Sequence, residues 1–324
     1  MLIISQHEVR QHLTYERCIP MMREAMAALS RGETLQLLRS IIAMKDKRLF
    51  GVMPGAMADD GAFGAKLISV FPANFAKGIQ SHQGLVALFD AESGAVSAIL
   101  HAGEITRIRT AAASAAATDA LARADASTLA ILGYGEQAHA HAHAIAHVRK
   151  LKKVRMWGRD VAKAKALAAL IAAELNLPAE AAANAEAAVK DADIICTTTS
   201  AHEPVLFSAW VADGAHVNVV GSSYAGPVEI DNALVKRGRL IADYRPGVLA
   251  QGAEFLRAKA AGLIDDAHVA GEIGEVFLGR LPGRTRPDEV TLYKSLGHVV
   301  QDLASATALV ADAASKGFGT RVAF

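Results

Sequence analysis

A glycine-rich turn is the first feature of this sequence whose residue types and spacing could do chemistry. Residues Gly133–Ala138, GYGEQA, have the spacing G-x-G-x-x-A between an apolar run and a segment of helical pattern. In such a turn Gly133 permits the tight bend, Gly135 lets the backbone approach a pyrophosphate, and the small Ala138 allows close helix–strand contact. The helix N-terminus adds unpaired N–H groups and a positive dipole end. The pattern predicts a dinucleotide site, and a glycine turn in another α/β fold is the alternative.

The end of the next predicted strand bears on which dinucleotide is bound. NAD-selective sites usually place an acid there, where it accepts a hydrogen bond from the ribose 2′-hydroxyl. Here the segment reads Trp157-Gly158-Arg159, and the arginine could face a 2′-phosphate. Asp160 follows and is more simply explained as the N-cap of a helix. The sequence therefore favours NADP(H) and leaves NAD(H) open.

Three basic residues stand in otherwise apolar segments. Arg39 lies in LLRSII, Lys66 in GAFGAKLISV and Arg109 in ITRIRTAAAS. A buried basic group usually has an anionic partner, because an unpaired buried charge is costly. Each of the three could belong to a structural salt bridge. All three around one cleft would instead form a binding site for a substrate carboxylate.

Two other patterns suggest metal or thiol chemistry and receive plainer interpretations. His139, His143 and His147 recur every four residues on one predicted helix, a spacing that can chelate a metal. No carboxylate or cysteine accompanies them locally, so we interpret them as a solvated or partner-facing stripe and predict no metal site. Cys18 and Cys196 are far apart in the sequence and are expected to be reduced thiols.

The elements that position these residues change in character along the chain. Residues 14–31 are predicted to form an amphipathic helix, and residues 35–101 a mostly antiparallel sheet of short apolar strands. A long alanine-rich helix is predicted over residues 104–123. Strands and helices then alternate, which implies a parallel sheet with crossover helices. A last helix, about residues 295–316, follows the alternation and could return to the first domain.

Length and composition limit the classes of function. The 324 residues exceed what one hydrophobic core usually organises, so two domains are expected. The formal net charge of +1 and the lack of a Lys/Arg block give no electrostatic footprint for nucleic acid. The segment MLIISQHEVR lacks the pattern of a secretion signal, and charges interrupt the apolar runs. The composition predicts a cytoplasmic protein that binds neither nucleic acid nor membranes.

Several longer segments resemble one known family. The motifs of the ornithine cyclodeaminase/mu-crystallin family are similar, in order and spacing, to GAKLISVFPANFAKGIQSHQGLVALFDAESG, ITRIRTAAASAAA, ILGYGEQA, VNVVGSS and TLYKSLGHVVQDLASA. The resemblance runs over nearly the whole chain. It implies an α/β fold with a Rossmann NAD(P)-binding domain over residues 119–300. Residues 1–118 would form a discontinuous α+β substrate and dimerisation domain, with residues 301–324 packing back on it.

The resemblance also implies roles for individual residues. Arg39, Lys66 and Arg109 are similar to the family's substrate-carboxylate and catalytic residues, and Arg109 would also reach the cofactor phosphates. Further residues match positions that would line the cofactor site, namely Ser81, Glu136, Gln137, Thr198, Thr199, Ser200, Val220 and Gly221.

One departure from the family pattern affects the predicted reaction. Cyclodeaminases of this family carry an acid–base aspartate after the turn that here reads Val220–Ser223, and the matching residue is Ser223. A serine can hydrogen-bond a substrate nitrogen but is a poor base near neutral pH. The departure favours a ketimine-reductase-like activity over cyclodeamination, with nearby Asp231 left open as a substitute acid.

The sequence therefore predicts an NAD(P)H-dependent oxidoreductase of amino-acid metabolism. It would reduce a 2-imino acid, either a ketimine or an imino dicarboxylate, to the amino acid, or catalyse the reverse dehydrogenation. Arg39 and Arg109 would hold the substrate carboxylate, Lys66 would donate or relay a proton, and Ser223 would orient the nitrogen.

Three alternatives remain open at this point. The first is a cyclodeaminase-type lyase that recycles its own NAD, the second a crystallin-like ligand-binding protein without catalysis, and the third an unspecialised Rossmann protein. A homodimer assembled through the first domain is also expected, because the predicted strands of that domain lack a full second layer of their own.

Overall fold

The computed structural model describes residues 1–58 and 61–323, which fall into two compact units. Unit 1 comprises Met1–Arg109 and His298–Phe324, and unit 2 comprises Thr110–Gly297. The chain thus begins in unit 1, builds unit 2 and returns to unit 1. The boundary predicted from the sequence, residue 118, and the boundary of the structure, after Arg109, lie in the same helix, Ala102–Leu121.

Unit 1 contains a mostly antiparallel sheet. Its strands are β1 (Leu2–Ile4), β2 (Thr34–Gln36), β3 (Ser40–Ala43), β4 (Leu49–Met57), β5 (Phe63–Val70), β6 (His82–Phe89), β7 (Val96–His101) and β16 (Thr320–Arg321). They are ordered β16-β1-β7-β6-β5-β4-β2, with β3 also paired to β4 and with β1 parallel to β7. Side chains alternate between the two faces of β5, so Lys66 shares its buried face with Gly64 and Ile68.

Four α-helices and one 3₁₀ helix, Pro72–Lys77, lie in the described part of unit 1. The α-helices are α1 (Gln6–His12), α2 (Tyr15–Arg31), α3 (Ala102–Leu121), which continues into unit 2, and α11 (Val299–Lys316). The helix predicted from residue 295 starts four residues later, because Gly297 has a left-handed φ of +79° and His298 is the N-cap. Helix α11 packs against α2 and against strands β4, β5 and β6, which brings its polar first turn to the middle of the sheet.

Unit 2 is a parallel sheet with helical connections. Its strands are β8 (Thr128–Leu132), β9 (Lys153–Trp157), β10 (Ala179–Ala181), β11 (Ile194–Thr197), β12 (His216–Val219), β13 (Arg239–Ala242), β14 (Val269–Glu272) and β15 (Thr291–Lys294). Its helices are α4 (Glu136–Val148), α5 (Val161–Leu175), α6 (Ala185–Val189), α7 (Asn232–Arg237), α8 (Arg245–Gln251), α9 (Ala253–Ala260) and α10 (Ile273–Phe277). The predicted α/β class with a Rossmann domain is confirmed.

The strand order of unit 2 fixes where a ligand can bind. The order is β10-β9-β8-β11-β12-β15-β13-β14, with neighbouring strands parallel. The order reverses between β8 and β11, and the crevice beyond the carboxyl ends of strands at such a switch point is the usual ligand site of an open α/β sheet.

Among the described residues, no helix combines the length and apolarity needed to cross a bilayer.

Candidate active-site residues

The glycine-rich turn lies at the switch point of the unit 2 sheet. Gly133 has a φ of +132°, and its N–H donates to the carbonyl oxygen of Trp157 at 2.8 Å. A Cβ on Gly133 would lie 2.6 Å from Oγ1 of Thr198, so a larger residue would push apart the turns after β8 and β11. Gly135 is the N-cap of α4, with no side chain over the first turn. These features fit a bound pyrophosphate, since a glycine N-cap places no side chain of its own between the dipole end of α4 and a ligand.

The neighbouring positions also agree with a dinucleotide turn. Ala138 is fully buried in the first turn of α4, as close packing of that helix requires. Arg159 is exposed just beyond β9, and Asp160 is the N-cap of α5, accepting a hydrogen bond from the Lys163 N–H at 3.1 Å. Asp160 therefore has the capping role expected of it, and the role of Arg159 stays a prediction.

A buried glutamate that sequence reasoning missed joins the turns after β11 and β12. Oε1 of Glu229 accepts hydrogen bonds from the N–H and the hydroxyl of Thr199, at 2.6 and 2.8 Å. Oε2 accepts from the Thr197 hydroxyl at 2.8 Å and from the Gly221 N–H at 2.6 Å. Burial raises the pKa of Glu229, although these donors oppose the rise. The carboxylate thus fixes Thr199 and Gly221, two of the predicted cofactor-lining residues.

A second buried network supports the turn that ends at Ser223. The preceding residue, Ser222, donates its hydroxyl hydrogen to Glu254, and Lys294 Nζ donates to the Ser222 carbonyl oxygen at 2.5 Å. Glu254 also accepts from the Glu229 N–H at 3.0 Å, which links the two networks. Ser223 itself is half-buried. The turn is therefore held by charged groups beneath it.

The acid left open as a substitute for the missing aspartate has a structural role. Asp231 is the N-cap of α7, and its Oδ1 accepts hydrogen bonds from the N–H groups of Leu234 at 2.9 Å and Ser208 at 3.0 Å. The first bond caps α7 and the second holds the segment at Ser208 beside it, which accounts for the acid without a catalytic role.

In unit 1, two of the three predicted basic residues share one buried carboxylate. Lys66 Nζ lies 3.1 Å from Oδ1 of Asp302, and Arg109 Nε lies 3.0 Å from the same oxygen. Arg109 Nη1 also donates to Oε1 of Gln301 at 2.9 Å. The second oxygen of Asp302, Oδ2, is buried without a hydrogen-bond partner in the described part of the chain. We call Lys66, Arg109 and Asp302 the unit 1 cluster.

Burial and the neighbouring charges together set the pKa of Lys66 in the unit 1 cluster. Burial lowers the pKa of Lys66 to about 7, with Arg109 and Arg39 adding to the fall and Asp302 opposing it. Burial raises the pKa of Asp302, but Arg109 and Lys66 outweigh it and the net shift is downward. Burial and the charge of Arg39 lower the pKa of His298 to about 3. Near neutral pH the cluster therefore holds a carboxylate, a guanidinium and a lysine that can gain or lose a proton.

The remaining predicted site residues have less specific surroundings. Arg39 is half-buried just before β3, and its charge acts on Lys66 and His298. The Ser81 hydroxyl lies 2.9 Å from Nδ1 of His82. Val220 is buried and Ser200 is exposed, both beyond the ends of unit 2 strands. Their proposed contacts with cofactor or substrate remain predictions.

The histidine stripe has a carboxylate partner that sequence reasoning missed. Nε2 of His139 and Nε2 of His143 lie 2.7 and 2.8 Å from the same oxygen, Oε2 of Glu174. Glu174 lies on helix α5, so no carboxylate is near the histidines in the sequence although one contacts them in the fold. Cys18 and Cys196 are both free and buried, as expected of reduced thiols.

The chain matches one known protein family over nearly its whole length. Residues 1–317 match the model of the ornithine cyclodeaminase/mu-crystallin family. The chain is 34% identical to the ketimine reductase mu-crystallin of Mus musculus over 319 residues, 97% of both chains. It is 33% identical to a Delta(1)-pyrroline-2-carboxylate reductase of Bacillus cereus over 326 residues, 100% of both chains.

Solved structures agree over the same length. The Delta(1)-pyrroline-2-carboxylate reductase of Thermococcus litoralis, in complex with NADH and L-proline, aligns with a TM-score of 0.96 and 30% identity, covering 99% of this chain and 100% of that one. The iminosuccinate reductase of Paracoccus denitrificans with NAD+ aligns at 0.91 and 33%, covering 100% and 99%. An archaeal alanine dehydrogenase dimer with bound NAD aligns at 0.93 and 27%, covering 100% and 99%.

Proposed function

Because the chain belongs to the ornithine cyclodeaminase/mu-crystallin family, we propose that it is an NAD(P)H-dependent reductase of 2-imino acids. It reduces the C=N bond to the amine of the amino acid and can catalyse the reverse dehydrogenation. The observation that carries the proposal is the unit 1 cluster, in which a lysine with a pKa of about 7 lies beside a buried carboxylate and an arginine. Relatives named as ketimine, pyrroline-2-carboxylate and iminosuccinate reductases support the same reaction type.

Each residue of the unit 1 cluster, and Arg39 beside it, has a task in this reaction. Arg39 and Arg109 bind the substrate carboxylate and so fix the orientation of Cα. Lys66 gives a proton to the imine nitrogen and takes it back in the reverse direction. Asp302 holds Lys66 and Arg109 in place. It also opposes the effect of burial on the pKa of Lys66, so that this pKa stays at about 7. A bound nicotinamide dinucleotide supplies the hydride that completes the C–H bond.

Unit 2 binds the dinucleotide in this proposal. Gly133–Ala138 holds the pyrophosphate, while Thr198, Thr199, Val220 and Gly221 line the site. Solved relatives contain NAD or NADH, which supports a nicotinamide dinucleotide in general. The exposed Arg159, with no acid in its place, supports a preference for NADP(H). Ser223 contacts the substrate nitrogen as a neutral hydrogen-bonding group.

The experiment that tests the proposal is a substrate panel. Purified protein is mixed with 2-oxo acids plus ammonium or methylamine, and with cyclic imines such as pyrroline-2-carboxylate, and the absorbance of NADH or NADPH is followed. At least one imine should be reduced. Lys66→Ala should lower turnover about a hundredfold or more with dinucleotide binding intact, the usual scale for a proton-transfer group.

A matched control separates catalysis from a general loss of charge. Lys77→Ala removes an exposed lysine of the same unit and should leave turnover unchanged. Dinucleotide binding without reduction of any imine would contradict the proposal and favour a ligand-binding protein. Near-normal turnover of Lys66→Ala would limit Lys66 to a structural role.

We also propose that the protein is a homodimer assembled through unit 1, as one structural neighbour is a dimer. Leu35, Leu37 and Ile42 on and between β2 and β3 are 59%, 72% and 61% exposed, and such clustered apolar surface is typical of a subunit interface. Leu37→Asp should yield monomers by light scattering. Leu170→Asp, which places the same charge at an exposed leucine of unit 2, should leave the dimer intact.

The cytoplasmic location stays a prediction from the sequence.

A further inference from the structure

Two histidines and one glutamate converge on the outer face of unit 2. His139 and His143 lie one turn apart on α4, with ring centroids 4.6 Å apart. Their Nε2 atoms and the Glu174 carboxylate oxygen all lie within 4.8 Å of one another. The side chains are 28%, 22% and 38% exposed, so the group is held by its surroundings yet open to an ion from solvent. Neither the dinucleotide turn nor the unit 1 cluster uses these residues.

The donor set and its geometry are those of a transition-metal site. Two imidazoles and one carboxylate, with water in the remaining position, are a common ligand set for Zn²⁺, whereas Mg²⁺ and Ca²⁺ prefer oxygen ligands alone. Metal–ligand bonds of about 2.0–2.2 Å in tetrahedral geometry separate ligand atoms by about 3.3–3.6 Å. The nitrogen–oxygen distances of 2.7 and 2.8 Å need to open by roughly 0.5–0.9 Å. Small rotations of half-exposed side chains provide such a change.

The carboxylate of Glu174 already faces both imidazoles. One of its oxygens, Oε2, lies within 2.8 Å of Nε2 of His139 and of Nε2 of His143, so the three ligand atoms are grouped around one point. A carboxylate and neutral imidazoles are the forms in which these side chains bind a metal ion.

We propose that His139, His143 and Glu174 bind a transition-metal ion of the Zn²⁺ class, with water completing the coordination. The ion joins α4 to α5 by bonds to both helices. His139 is three residues after Glu136, the first residue of α4, so the ion also restrains the helix whose N-terminus follows the glycine-rich turn. The site is independent of the reductase reaction, because none of its residues takes part in it.

The test is a Zn²⁺ titration of the full-length protein, freed of any histidine tag, in competition with a chromophoric chelator. The wild type should bind about one ion per chain. His143→Ala and Glu174→Gln should weaken binding at least tenfold, since loss of even an outer-shell partner of a ligand costs about 10–100-fold in metal affinity. His147→Ala, an exposed histidine one turn further along α4 and outside the group, should leave the affinity unchanged.

A second measurement does not depend on the chelator. Zn²⁺ should raise the thermal unfolding midpoint of the wild type and of His147→Ala but not that of Glu174→Gln, because an ion that binds the folded state stabilises it by mass action. The proposal is overturned if Zn²⁺ does not bind stoichiometrically. It is also overturned if Glu174→Gln binds Zn²⁺ as tightly as the wild type, or if His147→Ala weakens binding as much as His143→Ala does.

Discussion

Lys66 and Asp302 form a buried ion pair between the middle of a strand and the first turn of the last helix. Nζ and Oδ1 are 3.1 Å apart, although 236 residues separate the two positions in sequence. The carboxylate lies in the first turn of α11, where the helix dipole favours a negative charge. The pair therefore depends on the return of the chain to unit 1.

The pH dependence of the reaction follows from the lysine of this pair. The pKa of Lys66 is lowered to about 7, so its protonated form is present below pH 7 and is lost as the pH rises through this value. Imine reduction needs the proton, so kcat/KM for reduction should fall above about pH 7. The reverse dehydrogenation needs the neutral amine and should rise over the same range. The side chain of Lys66→Arg does not titrate in this pH range, so in that variant kcat/KM should no longer fall above about pH 7. A fall that persists in the variant would belong to another group.

Asp302→Asn should move the fall in kcat/KM for reduction to lower pH. The carboxylate raises the pKa of Lys66, so its neutralisation lets the pKa fall further. The variant should also lose about 3–5 kcal/mol of unfolding free energy, the usual effect of removing one partner from a buried ion pair. Denaturant unfolding and a pH–rate profile measure both. Asp312→Asn, in a partly exposed pair on the same helix, should cost about 1 kcal/mol or less and leave the profile in place. An unshifted profile in Asp302→Asn would show that the carboxylate does not act on the lysine.

The contrast between two groups of residues explains what the sequence could reveal. Gly133, Gly135 and Ala138 act through the local conformation of one turn, so their spacing alone predicted the turn and the strand and helix beside it. Lys66 and Arg109 were conspicuous because a charge interrupts an apolar pattern. These signals are local, and the α/β fold with its Rossmann unit was predicted from them.

The missed residues are all partners from distant parts of the chain. Asp302, Glu229 and Glu174 each lie more than 25 residues from a group that they bind. A weak signal existed for two of them, since Glu229 stands between the apolar Val228 and Ile230 and Asp302 lies inside a buried helical face. Which partner each acid would meet depends on strand order and helix packing, which one sequence does not specify.

Glu229→Gln should weaken dinucleotide binding as well as stability. Four donors point at the two carboxylate oxygens, and a glutamine offers one oxygen and an NH2 group that would face donors of Thr199 or Gly221. Unsatisfied buried donors cost about 1–3 kcal/mol, so the turns after β11 and β12 should shift. The dissociation constant of NADH and the urea midpoint report the two effects. Glu203→Gln, an exposed acid of unit 2, is the control and should change neither, whereas unchanged NADH affinity in Glu229→Gln would mean that these turns do not shape the site.

Arg159→Asp should shift cofactor preference towards NADH. The change removes a cation that could contact a 2′-phosphate and places an acceptor where the 2′-hydroxyl of NADH would lie. The ratio of kcat/KM for NADPH and NADH measures the shift. Lys165→Asp makes the same change of charge at an exposed position of α5 and should leave the ratio unaltered. An unaltered ratio in Arg159→Asp would show that this side chain does not contact the ribose.

The most direct test of the central claim is the stoichiometry between dinucleotide and product. A cyclodeaminase returns the hydride to its own substrate and needs an acid–base carboxylate, whereas Ser223 offers only a neutral hydroxyl and Asp231 caps α7. With a cyclic 2-imino acid, we expect one NAD(P)H to be oxidised for each amino acid formed, and with ornithine we expect no proline. Conversion of ornithine to proline with no net change in nicotinamide absorbance would contradict the assignment of this protein as an imine reductase.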